Sequence, residues 1–444
     1  MQSPGAHGAT LHANPGNYRD MLKELRPGDT LRLSPGSYKR LSIKDLHGTP
    51  DDWITISGPV DGTALILPED CCNTVQIRRS SYLRIRGLVV DSQGMAGLDG
   101  INVKDGASHD LVIEGNLIRG VGGSQQTVGI STKAMVWNLQ VRGNVILEPG
   151  TGMYFGNNAG DAPFIGGLIE HNLVLNAEGY AMQIKHQNPY SNEDISSPQT
   201  TAVRHNVFIK DDRISGDGNR PNLLLGGFPT HGQGAADLYQ VYGNFISHNK
   251  REALIQATGR VAIHHNLLVG MGEGRSAIYL TDHKGPLQLA YVYHNTIVGP
   301  GRGIRFAHQA REDDLVFANA IFAAEGIVGK VSRVTTNLHR READARQFLV
   351  KPFAPSGEMN FKPKDSLHLQ LTKETPLPEE IRGLLDTTKD FDGGSTEHQR
   401  FLGAYVPGLP EWIPGATVKH LVNQNIPMEF PFALQDWLFP EKSR

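Results

Sequence analysis

Alternating apolar and polar positions, closed each time by an asparagine, recur down the middle of this chain. "LVIEGNLI" places Asn116, "LQVRGNVI" Asn144, "GLIEHNLV" Asn172 and "TAVRHNVF" Asn206; "YQVYGNFI", "VAIHHNLL", "AYVYHNTI" and "LVFANAIF" follow with Asn244, Asn266, Asn295 and Asn319. An earlier copy, "YLRIRGLV", carries Gly87 at that position. Period-2 alternation predicts strands, not helices. The Asn-to-Asn intervals run from 22 to 38 residues, the length of one solenoid coil plus loop insertions. Short strands at that interval predict an all-β, single-stranded right-handed parallel β-helix, each coil stacking its strands on the next.

Between these copies lies a second strand family: "GINVK", "GISTK", "GMYFG", "AMQIK", "ALIQA", "AIYLT" and "GIRFA". Their apolar members are expected inside and their variable members outside. The asparagines are expected to form a ladder, since Asn tolerates left-handed geometry and stacked amides bond along a solenoid. His171, His205, His265 and His294, each just before its Asn, are expected as a stack on the surface or turn side. Coils about 4.8 Å apart are too widely spaced for four imidazoles to share one metal shell.

Before the coils, "NYRDMLKELRPGDTLRLSPGSYK" predicts a short amphipathic helix that Asn17 caps and Arg26-Pro27-Gly28 stops, covering the first coil. The repeat fades after residue 330 into Pro-rich, charged sequence. The expected organisation is residues 1–50 as cap and first strands, 51–330 as coils, and 331–444 as an extension packing on the solenoid. The tail "NQNIPMEFPFALQDWLFP" is expected to dock there too.

Composition narrows function more than fold. Lys plus Arg is 43 against 46 Asp plus Glu, a net charge of -3, which argues against a nucleic-acid binder and leaves room for a local basic groove. No apolar run approaches a membrane span of about 20 residues. The start "MQSPGAHGAT" has no basic-then-apolar leader, which does not establish a cytoplasmic home; the expectation is a secreted or periplasmic protein whose signal has been removed. Cys71 and Cys72, adjacent, suggest neither a disulfide framework nor a zinc site and are expected as core residues of an apolar strand.

Aligning the second strand family puts Lys104, Lys133 and Lys185 at one outward position. Asn102, Ser131, Tyr154, Gln183, Tyr279 and Arg305 fall two residues earlier, with His308 just beyond the last strand. Outward positions of a strand are polar in any soluble protein. A strip of amines, amides and phenols also suits a polyanionic chain, cations holding carboxylates and phenols meeting sugar rings. Hydrolysis of a glycosidic bond usually uses two facing carboxylates; Asp99, Asp105, Glu178 and Asp282 form no such doublet. "DGINVKDG" is similar to a fragment of β-helical polygalacturonases, whose paired Asp, Gly-His-Gly and Arg-x-Lys elements are missing. Elimination instead needs a base for the proton α to a uronate carboxylate, a neutralising cation and an acid for the leaving oxygen. A lysine of lowered pKa with Arg, His or Tyr meets those needs.

The order "RPGDTLRLSPGSYK…WITISG" resembles the entrance of the pectate-lyase-like β-helix proteins, closest to polysaccharide lyase family 6, the alginate lyases and chondroitinase B. In that family a strand carrying the catalytic Lys precedes an Asn-ended repeat, and "EGYAMQIKHQ…TAVRHNVF" has the same layout over roughly residues 20 to 330. The resemblance implies Lys185 as base and calcium at Glu178, the only cofactor expected; Tyr180 stands where the family has a second acid. The family's Leu-Arg-His-Gly strand is replaced by "LLLGGFPTHGQG", so Arg251 or His231 would substitute for its Arg, with His186 beside the base. The expected sites are thus Lys185, His186, His231 and Arg251 for catalysis and Lys104, Lys133, Tyr154, Gln183, Tyr279, Arg305 and His308 for substrate. The expected function is lyase cleavage of a uronic-acid-containing polysaccharide or oligosaccharide by a monomer. A carbohydrate-binding cell-envelope β-helix, a uronan C5-epimerase and a glycoside hydrolase are the alternatives.

Overall fold

In the computed structural model, residues 8–308, 311–354, 359–368, 370, 379–384, 386–392, 395 and 401–405 are described. They form a right-handed parallel β-helix of three long sheets of 14, 11 and 12 strands. The chain passes through the sheets in rotation, so neighbours within a sheet come from successive coils. The first strands, Thr10–Ala13 and Thr30–Leu33, already belong to the first sheet, and Leu338–Arg340 closes the third.

Each Asn-ended repeat spans a corner between two sheets. "LQVRGNVI", for example, gives Val136–Arg142 in the first sheet and Val145–Leu147 in the third. The asparagine side chains form the expected ladder: Asn116 Nδ2 donates to Asn144 Oδ1 at 3.0 Å, and the same bond repeats from Asn144 through Asn319 to Asn337. The left-handed geometry falls elsewhere than expected, on the residue before each Asn. Gly143 has φ 62°, His171 56°, His205 53°, His265 51° and His294 51°. This explains the Gly or His at that position, since both enter the left-handed region more readily than most residues.

The histidine stack forms on the turn side, as one of the two expected placements, and only its second half is buried. His171 and His205 stack at 5.2 Å and His265 and His294 at 5.0 Å, with Gly243 interrupting them. His265 is 1% and His294 9% exposed, because Phe401 of the C-terminal extension stacks on His294 at 4.2 Å. Burial pushes His294 down to about 3, so the ring is neutral.

The interior is a set of aligned apolar rows. Ile101, Ile130, Met153, Met182, Leu223, Ile255, Ile278 and Ile304 are successive register partners in the second sheet, all fully buried. The outward face of the third sheet is apolar too, and Phe348, Phe361, Leu367, Phe391 and Leu402 of the extension pack among its residues Leu267 and Phe322. Among the described residues, that apolar cluster includes no residue of the second sheet.

Two local expectations are corrected. Asn17 precedes the helix Tyr18–Glu24 but does not cap it, because its Oδ1 accepts the Asn14 N–H at 2.8 Å. Cys71 and Cys72 are not core residues: they lie in a turn before the strand Val75–Arg78, Cys71 exposed and Cys72 partly so. The aromatic tail at 423–440 lies outside the described residues.

Candidate active site

The outward row on the second sheet forms as its sequence pattern implies. Asn102, Ser131, Tyr154, Gln183, Leu224, Gln256, Tyr279 and Arg305 are consecutive register partners. Two residues on, the backbone bonds of Lys104, Lys133 and Lys185 to Ile77, Val103 and Phe155 carry a second row. That row is not a continuous line of amines, because Gly156 separates Lys133 from Lys185 and Gly226 follows Lys185. The strip is also not open throughout. Asn102 and Ser131 are fully buried with Asp99, whose Oδ2 accepts Ser131 Oγ at 2.6 Å and Lys133 Nζ at 2.8 Å.

Around Lys185 the strip deepens into a groove of about 410 Å³. Lys133, Tyr154, Gln183 and Lys185 form its floor, and the loop residues Gln125, Gln126, Asn157, Asn158, Tyr180 and Arg220 stand around it. Among the described residues its walls contain no Asp or Glu. Glycine makes room for the lysine: a Cβ at Gly156 would lie 3.1 Å from Lys185 Cβ, and one at Gly226 only 2.2 Å from the His186 nitrogen.

The groove sets two kinds of group apart. Lys185 is half-buried, and burial, then Lys284 and Arg220, pull its pKa below that of an ordinary lysine. Tyr154 is pushed up to about 12, chiefly by burial and then by Tyr180 and Asp99. Burial also raises Tyr180, while Arg220, 5.8 Å over its ring, acts in the opposite sense. The arrangement holds an amine made easier to deprotonate beside phenols that keep their protons, with a guanidinium at the wall.

The remaining expected residues separate from this centre. His186 turns its ring toward Gly160, outside the groove walls, where burial and then Lys284, Lys185 and His283 lower its pKa. His231 is exposed on a loop, with its Nδ1 3.4 Å from Thr230 Oγ1. Arg251 bonds the Asp212 carbonyl at 3.0 Å and is not among the groove walls. Lys104 lies on the strip outside the groove walls. Tyr279 and Arg305, with the guanidinium 5.1 Å over the ring, lie three and four coils beyond Gln183. His308 is not on the open strip: its side chain is 1% exposed and pairs with buried Asp314 at 3.0 Å.

Glu178 stands apart as well. Its Oε1 accepts the Gly123 N–H at 2.7 Å and it lines a separate cavity of about 700 Å³. The other carboxylates there are engaged, Asp91 by Arg119 at 2.9 Å and Glu148 by Arg213. Tyr180, in the place of a second acid, lines the lysine groove instead. Calcium needs six or more oxygen ligands, and these residues do not fit it. Among the described residues no cluster of three His, Cys, Asp or Glu suits a metal.

Sequence reasoning missed Arg220, and missed Tyr180 as a phenol of the groove. Arg220 sits in the insertion between the strands Val207–Ile209 and Leu223–Leu225, where no repeat assigns a side-chain direction. The signal available was length, since the 38 residues from Asn206 to Asn244 are the longest interval between the asparagines of the eight repeats.

Neither a family model nor a curated protein sequence matches the chain. Solved structures do. Pectate lyase Pel9A is 12% identical, with 90% of this chain and 96% of that one covered and a TM-score of 0.52. The A-module of the mannuronan C-5 epimerase AlgE6 from Azotobacter vinelandii is 18% identical over 72% of this chain and 92% of the module, with a TM-score of 0.46. A polysaccharide lyase family 6 alginate lyase is 12% identical over 74% of this chain, which spans about half (51%) of that protein, with a TM-score of 0.45. Fold does not fix chemistry. What the likeness to Pel9A establishes is architecture alone: this chain shares the right-handed parallel β-helix fold.

Proposed function

We propose that the protein cleaves an acidic polysaccharide at a uronate residue by β-elimination, with Lys185 as the base. The observation that carries this reading is the groove's composition: a lysine of lowered pKa, an arginine and two protonated phenols, with no carboxylate in the walls among the described residues. Retaining and inverting glycosidases usually require a carboxylate pair at the scissile bond, so this groove favours elimination over hydrolysis.

In the proposed step, neutral Lys185 Nζ takes the proton at C5 of the uronate. Arg220 holds the carboxylate that gathers the negative charge, an electrostatic role of the kind that dominates such catalysis. The C4–O bond breaks as the C4=C5 double bond forms. Tyr154, the phenol beside the base, gives its proton to the departing oxygen. The stepwise balance leaves an ammonium and a phenolate, which exchange a proton before the next turnover. A secreted or periplasmic setting, where such polymers are met, goes with this reading. Among the described residues no helix is long and apolar enough to cross a membrane.

Incubation with alginate, pectate, glycosaminoglycans and bacterial uronans in deuterated water, followed by NMR of the products, tests the assignment. A vinylic C4 proton signal supports elimination. Deuterium at C5 of an uncut chain would instead identify an epimerase, a new saturated reducing end a hydrolase, and an unaltered polymer a binding protein.

A further inference from the structure

Lys210 is a buried amine that the elimination step does not use. It follows the third-sheet strand Val207–Ile209, its backbone N–H bonding the Ser247 carbonyl, and is only 8% exposed. Among the described residues no carboxylate forms an ion pair with its Nζ. Instead Nζ donates to the Gly179 carbonyl at 2.6 Å and to the Arg220 carbonyl at 3.3 Å.

Those carbonyls belong to two successive coils. Gly179 is the residue before Tyr180, on the turn entering the strand Met182–Ile184, and Arg220 ends the insertion entering the next strand of that sheet. The ammonium thus ties the two backbone segments that deliver the groove's guanidinium and one of its phenols. Asn249 completes the anchor, its Nδ2 bonding the Arg220 carbonyl and Asn222 Oδ1, each at 2.9 Å. Arg220 itself points its guanidinium at the carbonyls of Asp217 and Asn219 and over the Tyr180 ring. A charge in this corner is unfavourable, since burial pushes Lys210 down to about 8. An apolar side chain of similar length would avoid that cost but could not bridge two carbonyls.

We infer that Lys210 is a positioning residue that holds Arg220 against Tyr180 by bridging the Gly179 and Arg220 carbonyls. The inference rests on the elimination reading for its effect on turnover, but not for its effect on geometry. Two readouts on Lys210→Met separate these. The first, without substrate, is the rate at which phenylglyoxal labels Arg220, followed by peptide mass spectrometry; a several-fold increase is expected. The second is kinetics on the uronan that wild type cleaves. There kcat is expected to fall roughly 10- to 100-fold with KM little changed, as misplacement of a catalytic group does, and Lys210→Arg is expected to recover part of it.

Unchanged labelling in Lys210→Met overturns the inference, whatever happens to activity. Faster labelling with unchanged kcat also overturns it, because Arg220 would then move without consequence. If wild type cleaves no uronan yet labelling still responds to Lys210, the elimination reading fails while the bridge stands. Should the Met variant not fold, Lys210→Gln, able to reach one carbonyl, carries the same readouts with intermediate changes expected and no change contradicting.

Discussion

Lys185 Nζ lies 5.7 Å from the centre of the Tyr154 ring, one coil away on the same face. A cation over a ring favours the charged amine by about 1 kcal/mol or less at a partly exposed site. Burial, Lys284 and Arg220 act in the other direction and prevail, so the pKa is lowered.

The pH dependence follows with a definite sign. A base must be neutral to act, so kcat/KM should rise with pH along a limb centred below the usual lysine pKa of 10.5. Tyr154, pushed up to about 12, should impose no falling limb in the neutral or mildly alkaline range. Removing a neighbouring cation makes the ammonium easier to keep. Lys284→Gln should therefore move the rising limb to higher pH by about half a unit, the size expected for one partly screened charge. Rate profiles of the two proteins at low ionic strength check this, and an unmoved limb contradicts the assignment of Lys185 as base.

The two phenols should be unequal. Tyr154 adjoins the base and is assigned the leaving-group proton, so Tyr154→Phe should lower kcat by about 100-fold or more, within the range of general acid catalysis. Tyr180 contacts Arg220, and Tyr180→Phe should be milder and fall partly on KM. Steady-state kinetics of both variants decide, and the reverse ranking would exchange the roles.

Gly226 is required by backbone approach, not by solvent exposure. A Cβ there would meet the His186 nitrogen at 2.2 Å and the Lys185 carbonyl carbon at 2.4 Å, neither of which can swing aside. Gly226→Ala should displace the Lys185 backbone and cost turnover of roughly 100-fold, while thermal melting shows the solenoid still folded. Wild-type turnover in this variant would show that the amine's position is not critical.

The asparagine ladder should resist truncation most in its middle. Asn244 donates to Asn266 Oδ1 and to the Val203 and Tyr242 carbonyls, and accepts from Asn206. Asn244→Ala strands these partners in the interior, at about 2–5 kcal/mol. Asn337, the last rung among the described residues, accepts from Asn319 but donates only to two carbonyls, so Asn337→Ala should cost less. Urea denaturation of both variants measures the difference.

These contrasts mark what the sequence makes legible. Repetition exposed the solenoid, because strands that stack must repeat their alternation and Asn144 or Asn266 must recur at each corner. Repetition also aligned Tyr154, Gln183, Tyr279 and Arg305 correctly, since side-chain direction on a strand follows from register. It failed wherever the chain leaves register. Arg220 and Tyr180 come from loops, His308 turns inward to Asp314 just past its strand, and Lys133 is held down by Asp99, 34 residues earlier. The left-handed residue was misplaced by one because two neighbours, Asn and the Gly or His before it, both suit that geometry, and only the ladder's bonds decide between them.

The most direct measurement is the appearance of unsaturated product, read by ultraviolet absorbance, on a panel of uronans with wild type and Lys185→Ala side by side. The account predicts absorbance on at least one uronan and a fall of about 1,000-fold or more in the variant, the scale of losing the general base. No absorbance on any uronan, or an unchanged rate in Lys185→Ala, would contradict it.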